Sequence, residues 1–420
     1  MPKIFIIACE ASGDKHGAGL VQSIKELDPT VQFEGLGGME MAKAGVTLLE
    51  EMTRVSVLGL GDVLRKYFYF RKIFYRALHH VRRTQPDLLI LIDSPAFNLR
   101  FAKKIKRQIP VLYYVSPQIW AWGWRRIHTI RRTVDHMIAI LPFEEEMYRK
   151  ERVLCTFVGN PLLDRVKTSG SKEALRREFG IGNSERMIAL LPGSRGPEVE
   201  RIFPGMLETA RLLQKDFPEL KFFVVQAPQV SSALYDRIAL PFSDLRLERF
   251  WDRPYDIVHA ADFALVASGT ATLETALLGT PFFLLYKASA STFFFGRRLV
   301  KLPYIGLVNV LAGRFVVPEF IQYQAEPKRI AHETKILLEN DELREKFCGE
   351  IEEVCQKLGE PGAEERAAEL ILRKLRERLS GAPAPASSEA LPQPSQVGKE
   401  NQVDGDRRHH PAEEKKREKI

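Results

Sequence analysis

Short apolar runs recur along the chain at the spacing of an alternating β/α protein. Residues 4–8, 88–92, 111–115, 137–140 and 155–158 form runs without a charged side chain, the pattern of parallel strands covered on both faces. A run at 33–38 breaks into Gly35-Leu36-Gly37-Gly38, where glycines permit either close backbone approach to a ligand or a plain tight turn. Between the runs, apolar positions repeat every three to four residues, predicting helices at about 17–26 and 99–108. The pattern turns polar around 165–185 and then restarts, with strands at 187–191, 222–225, 263–266 and 281–286. After Gly196 a helix carries Ile202, Phe203, Met206, Leu207, Ala210, Leu213 and Phe217 on one side.

Strand, small-residue turn and helix, twice over, predict an α/β chain of two doubly wound, Rossmann-like domains sharing one cleft at their strand ends. The expected division is a first domain over 1–165, a second over 166–345, C-terminal helices over 346–379 that pack back on the first domain, and a tail over 380–420. In that tail the composition collapses to Pro, Ala, Ser, Glu and Gln, which predicts disorder. One helix, over 61–80, is unusual. Val63, Tyr67, Phe70, Phe74, Ala77 and Leu78 share a face, with Arg65, Lys72 and Arg76 opposite and Lys66 and Arg71 on the flanks. Phe68, Tyr69 and Tyr75 add apolar surface beyond one packing face. Such a helix fits a membrane interface, and an ordinary surface helix of an α/β domain is the alternative.

Composition narrows the picture only a little. The 420 residues are 45% hydrophobic and 28% charged, enough for two cores. A formal net charge of +8 points to anionic partners and leaves nucleic acid, phosphorylated small molecules and membrane surface open. Cys9, Cys155, Cys348 and Cys355 form no CxxC pair, so neither a disulfide framework nor a zinc site follows, and a reducing compartment is expected. The opening Met1-Pro2-Lys3 enters a strand too soon for a signal peptide, and no run of eighteen apolar residues predicts a membrane span.

Ligands of open α/β sheets bind at the carboxyl ends of strands, so the chemistry is sought there. The first half offers Glu10-Ala11-Ser12-Gly13-Asp14, then Asp93 to Asn98, then Ser116 to Trp124 with Trp120, Trp122 and Trp124. Asp93, closing the run Leu88 to Ile92, reads equally as a catalytic carboxylate or as a turn cap. The tryptophans suggest a substrate wall, and Arg125, Arg126, Arg131 and Arg132 beside them an anion or headgroup face. The second half offers Gly193-Ser194-Arg195-Gly196 and Ser268-Gly269-Thr270, with Glu274 one turn further on. A guanidinium beside a glycine turn, and a helix N-terminus with free N–H groups, suit a nucleoside diphosphate, with Glu274 accepting from sugar hydroxyls. No Asp-x-Asp pair or histidine cluster accompanies these loops, so no metal and no cofactor is expected.

Six segments in order resemble the lipid-A-disaccharide synthase family over about residues 1–375. They are Glu10-Ala11-Ser12-Gly13-Asp14, Asp93-Ser94-Pro95-Ala96-Phe97-Asn98, Tyr114 to Trp122, Leu190 to Gly196, Ala267-Ser268-Gly269-Thr270-Ala271 and Asn309 to Arg314. The resemblance implies the GT-B fold and an inverting, metal-independent glycosyltransferase without cofactor. Its implied donor is UDP-2,3-diacylglucosamine, and its acceptor the 6-hydroxyl of 2,3-diacylglucosamine 1-phosphate. It further implies Asp93 as general base and Arg195 on the UDP phosphates, with Gly193, Ser194, Ser268, Gly269, Thr270, Glu274 and Asn309 completing the donor side. Glu10, Ser12, Gly13, Asp14, Asn98, Ser116, Trp120 and Trp122 fall to the acceptor side.

Diacylated substrates shift the 61–80 helix towards an anionic membrane surface, with Val63, Leu64, Tyr67, Phe68, Phe70 and Phe74 as contacts and Phe293 to Phe295 with Arg297 and Arg298 as a second patch. The implied setting is peripheral, on the cytoplasmic face of a Gram-negative-type inner membrane, with no nucleic acid and with monomer or homodimer open. Two departures stand out: Ala96 where many members carry a second aspartate, and Asn160 where many carry histidine. The rival readings are another GT-B enzyme acting on a UDP-sugar (an N-acetylglucosaminyltransferase or an epimerase) and a non-catalytic UDP- or lipid-binding protein.

Overall fold

The computed structural model describes residues 1–52, 63–105, 108–182, 185–289 and 303–380, and of residues 63–66 the backbone only. Seven strands make the first sheet: β1 (Lys3–Ala8), β2 (Gln32–Gly37), β3 (Thr47–Glu51), β4 (Leu88–Ile92), β5 (Val111–Tyr114), β6 (His136–Ala139) and β7 (Cys155–Phe157). Their spatial order is β3-β2-β1-β4-β5-β6-β7, all parallel. The second sheet holds β8 (Met187–Leu191), β9 (Lys221–Val225), β10 (Leu247–Phe250), β11 (Phe263–Ala267), β12 (Phe282–Tyr286) and β13 (Glu319–Ile321). Its order, β10-β9-β8-β11-β12-β13, repeats the same winding, again with parallel pairs throughout. Each sheet therefore reverses its strand order once, between β1 and β4 and between β8 and β11. Ligand crevices of such folds open at that reversal.

The helices follow from the periodicities. In the first domain they are α1 (Ala11–Leu27), α2 (Met39–Lys43), α3 (Val63–Thr84), α4 (Pro95–Ile105), α5 (Ile127–Thr133), α6 (Pro142–Lys150) and the single turn α7 (Leu162–Arg165). The second contributes α8 (Lys172–Glu178), α9 (Gly196–Asp216), α10 (Ser232–Ala239), α11 (Pro254–Ala260), α12 (Thr270–Leu277), α13 (Leu307–Ala312), α14 (Pro327–Glu339) and α15 (Asp341–Gln356), and α16 (Ala363–Leu379) ends the described chain. Strand β4 shows why the sheet is stable where the site needs it. Leu88 to Ile92 are all fully buried, with Leu89 and Leu91 in the core on one face and Leu88, Ile90 and Ile92 in the core on the other. Each such side chain contributes about 1.5–3 kcal/mol on burial, so a charge at Ile90 would break the domain.

Several sequence expectations shift in the structure. Helix α1 starts at Ala11 rather than near Gly17, so Ser12, Gly13 and Asp14 form its first turn instead of a loop. The glycines at 35–38 serve packing. A Cβ on Gly35 would come within 2.0 Å of the Ile6 carbonyl oxygen across the β1–β2 pair. Helix α4 begins at Pro95, directly behind Asp93 and Ser94. The division of the C-terminal helices also moves. Helix α15 packs with α12, α13 and α14 of the second domain, and α16 alone returns to lie along α1 of the first. Its start is held by Asp164, whose carboxylate accepts from the Gly362 and Ala363 N–H groups at 2.9 and 3.3 Å. Cys348 and Cys355 are half-buried free thiols.

Candidate active site

All four sequence-predicted chemical loops with a charged or anion-ready residue flank the two strand-order reversals. Glu10 follows β1 and Asp93 follows β4, while Arg195 follows β8 and Ser268-Gly269-Thr270 follow β11.

Asp93 sits on unusual backbone. Asp93 and Ser94 both adopt left-handed conformations (φ 46° and 45°), and Val115, at the equivalent turn after β5, has φ 60°. Such conformations cost about 1–3 kcal/mol each in non-glycine residues and persist only where the surroundings enforce them. Here the enforcement is visible. The Asp93 carbonyl accepts from the Tyr113 hydroxyl and from Asn98 Nδ2 at 2.8 Å, and Asn98 Nδ2 also donates to the Ile92 carbonyl at 2.9 Å. Asn98 is fully buried in the first turn of α4, so its role is to hold the turn that carries Asp93; it offers no open face to an acceptor. The half-buried Asp93 carboxyl is pushed up to about 6, mainly by desolvation and then by the negative charge of Glu10. A carboxylate tuned towards neutrality at a strand end suits general-base work.

Glu10 bridges the two halves. It lies 3.9 Å from Arg195 Nη2, so the carboxylate that raises Asp93 also faces the second domain's guanidinium. Arg195 occupies the N-cap position of α9 without a side-chain capping bond and is 70% exposed, with Nη1 donating to Glu198 Oε1 at 3.1 Å. Gly193 (φ 123°) makes the turn before it, where a Cβ would meet the Glu198 side chain at 2.9 Å. The Ser194 N–H donates to Glu198 Oε2 at 3.1 Å. An internal carboxylate thus rests against both the guanidinium and a loop N–H, the contacts an external anion would use. At the other reversal, Gly269 (φ 155°) begins α12, and no side chain caps that helix N-terminus. Glu274 accepts from the Tyr255 hydroxyl at 3.0 Å, and burial raises its carboxyl while Lys15, reaching across from α1, pulls it back.

Other expected contacts turn out to serve the backbone. Asp14 is buried, and its two oxygens accept from the N–H groups of Gly38 (2.7 Å), Met41 (3.1 Å) and Glu40 (3.1 Å), capping α2. Asn309, assigned to the donor side, lies buried in α13. Its Oδ1 accepts from Val316 and Val317 N–H at 2.8 Å each, and its Nδ2 donates to the Val317 carbonyl and Glu319 Oε1. With every polar valence filled, it shapes the turn that follows and has no group left for a nucleotide. Gly13 is buried, where an added Cβ would meet Ala8 and Ile92 at ordinary contact distance, and Ser12 is exposed. Asn160, standing where the family pattern has histidine, is a buried turn residue that donates to the Ile140 carbonyl and accepts from Leu162 N–H. Ala96 is exposed beside Asp93.

The tryptophan loop divides by depth. Trp122 and Trp124 are exposed, with the Arg126 guanidinium 4.1 Å above the Trp122 ring, whereas Trp120 is half-buried and donates to Glu144. Ser116 is buried and shares a 2.8 Å hydrogen bond with the Tyr148 hydroxyl. Sequence reading missed Tyr113, Tyr148, Glu198 and Glu144. Glu144 could have been found, because it follows the apolar run 137–140 by four residues, in the strand-end region where ligands bind.

On α3, Ile73, Ala77, Leu78 and Val81 are the buried face, and Phe70 and Phe74 turn towards the same core, Phe74 against Phe97 at 5.3 Å. Phe70 and Phe74 therefore leave the membrane-facing set, and Tyr67, Phe68 and Tyr75 are what the helix exposes, with Arg71 and Lys72. The side chains of Val63 and Leu64, and Phe293 to Phe295 with Arg297 and Arg298, lie outside the described residues, as do residues 381–420. Among the described residues no group of three or more His, Cys, Asp or Glu side chains is placed to hold a metal ion, and no helix is long and apolar enough to cross a membrane.

Comparison with known proteins meets this geometry. The family model for lipid-A-disaccharide synthetase matches residues 4–373. The chain is 44% identical over 372 residues to a lipid-A-disaccharide synthase of Syntrophus aciditrophicus, covering 88% of this chain and 97% of that one. It is 41% identical over 377 residues to the enzyme of that name from Geobacter sulfurreducens, covering 89% and 97%. Among solved structures, the calicheamicin glycosyltransferase CalG4 superposes with a TM-score of 0.59 at 13% identity, over 92% of this chain and 100% of that one. The UDP-GlcNAc 2-epimerase of Neisseria meningitidis, bound to UDP-GlcNAc, superposes with a TM-score of 0.56 at 13% identity, over 90% and 100%. At that identity the two structures establish the shared architecture.

Proposed function

The chain belongs to the lipid-A-disaccharide synthase family and is a GT-B glycosyltransferase, and on that premise we propose its substrates and the residues that act on them. The donor is UDP-2,3-diacylglucosamine and the acceptor is the 6-hydroxyl of 2,3-diacylglucosamine 1-phosphate. Asp93 takes the acceptor hydroxyl proton as O6 attacks C1 of the donor sugar. The new C1–O6 bond forms as the C1–O bond to UDP breaks on the opposite face, inverting the anomeric centre to the β-1′,6-linked product. Arg195 and the N-terminus of α12 meet the charge that develops on the departing diphosphate, and Glu274 holds the ribose.

One observation carries this reading. A carboxyl pushed up to about 6 at one strand-order reversal and an exposed guanidinium at the other are linked by Glu10, which lies close to both. Base and leaving-group stabiliser thus lie on opposite sides of one cleft, as a single displacement requires. In the ionised range the sign is simple: the base form of Asp93 predominates above about pH 6, so transfer should rise as pH climbs through that value.

The acylated substrates suit a peripheral position on the cytoplasmic face of an anionic membrane. Tyr67, Phe68 and Tyr75 with Arg71 and Lys72, and Trp122 and Trp124 with Arg126, support that placement, being aromatic side chains exposed beside cations. The functional test is an assay of the purified full chain with both diacylated substrates and with each omitted in turn. Disaccharide and UDP should appear only when both are present. Turnover of UDP-N-acetylglucosamine without an acceptor would overturn the assignment in favour of an epimerase.

A further inference from the structure

Glu144 is a buried carboxylic acid that neither the donor side nor the base assignment uses. It sits in the first turn of α6 and is 1% exposed. Its Oε1 accepts the Trp120 indole N–H at 3.0 Å, and its Oε2 is buried without a hydrogen-bond partner. Burial pushes the carboxyl up to about 7, and the negative charge of Asp93 adds to the shift. A protonated carboxyl at Oε2 removes the cost of a bare buried charge and leaves Oε1 free to accept. An apolar side chain would fill this space at lower cost; the carboxyl supplies a fixed acceptor for one indole.

That indole occupies a seam between the domains. The Trp120 ring meets Phe143 edge-on, with centroids 5.2 Å apart, and both rings are half-buried against a hydrophobic cluster that joins Leu141 and Leu162 of the first domain to the second domain's core. At the other end of the same loop, Ser116 is pinned to Tyr148, also on α6. Helix α6 therefore holds the segment after β5 at two points, and that segment forms the wall next to Asp93 in the sheet order. We propose that Glu144 is a positioning residue for the acceptor, fixing Trp120 and through it the wall beside Asp93 against the donor domain. This inference rests on the acceptor lying on the first-domain side, as proposed above.

The test compares Glu144→Ala, Glu144→Gln, Trp120→Phe and the double variant Trp120→Phe/Glu144→Ala, using the full chain and both diacylated substrates. Glu144→Ala and Trp120→Phe should each raise the acceptor KM about 10-fold, the scale of one lost positioning hydrogen bond. The donor KM and the Kd for UDP should stay within about 2-fold. Glu144→Gln should restore most of the loss, because its amide oxygen still accepts the indole N–H. The double variant should be no worse than either single one. If Glu144→Ala does not fold, Glu144→Gln and Trp120→Phe carry the comparison, the first near wild type and the second acceptor-impaired. Equal damage from Gln and Ala, losses that multiply in the double variant, or a donor KM that moves with the acceptor's would each overturn the proposal. A wild-type chain inactive on both substrates would instead overturn the functional reading.

Discussion

At the first domain's strand-order reversal the ionisable group is a half-buried carboxyl on left-handed backbone, whereas at the second domain's it is a guanidinium 70% exposed on a glycine turn. The first region is built inward. Tyr113 and Asn98 bind the Asp93 carbonyl, Tyr148 and Glu144 hold the neighbouring loop, and desolvation raises the carboxyl to about 6. The second is built outward. Gly193 permits the turn, Arg195 stays solvated, and the start of α12 is left uncapped. The difference is physical. A general base gains from a dry, rigid setting that shifts its proton affinity, while an anion site needs cations and N–H groups that solvent and ligand can reach.

The sharpest break between the regions is chemical. Asp93→Asn removes the proton acceptor while keeping the shape, and transfer should fall by ~10²-fold or more, measured as disaccharide formed per enzyme. Arg195→Ala should act on the other side, raising the donor KM about 10-fold or more and lowering kcat as the leaving group loses its counter-charge. Arg195→Lys should recover only part of this, because a point charge cannot replace the planar fork. A smaller effect falls on the residue between them. Glu10 raises the Asp93 carboxyl, so Glu10→Gln should move the acid limb of kcat/KM to lower pH, and an unmoved limb would separate Glu10 from the base. Smallest for the chemistry is the surface. Replacing Tyr67, Phe68 and Tyr75 with Ser should weaken liposome binding and leave turnover of detergent-dispersed substrates within about 2-fold, and unchanged binding would return α3 to ordinary packing.

How much of this was legible depended on where each residue's partners lie. The central strands announce themselves because parallel strands covered on both faces need unbroken aliphatics, as in Leu88 to Ile92. Strands β3, β10 and β13 escaped notice, since each lies at a sheet edge and mixes charged or polar side chains such as Glu50, Glu248 and Glu319 with apolar ones. The placement of Asp93 and Arg195 at strand ends beside the two reversals was legible from the strand-end rule and the family motifs. Asp14 and Asn309 were named for ligands yet satisfy backbone N–H groups, a distinction that residue type alone does not make. The supports around Asp93 were invisible for a different reason: Tyr113 meets Asp93 and Trp120 meets Glu144 only after neighbouring strands come together.

The division of labour between the two reversals is tested most directly by titrating UDP into Asp93→Asn and Arg195→Ala side by side, with calorimetry as the readout. Asp93→Asn should bind UDP as the wild type does, while Arg195→Ala should bind it about 10-fold or more weakly. Loss of UDP binding by Asp93→Asn, or wild-type binding by Arg195→Ala, would contradict it.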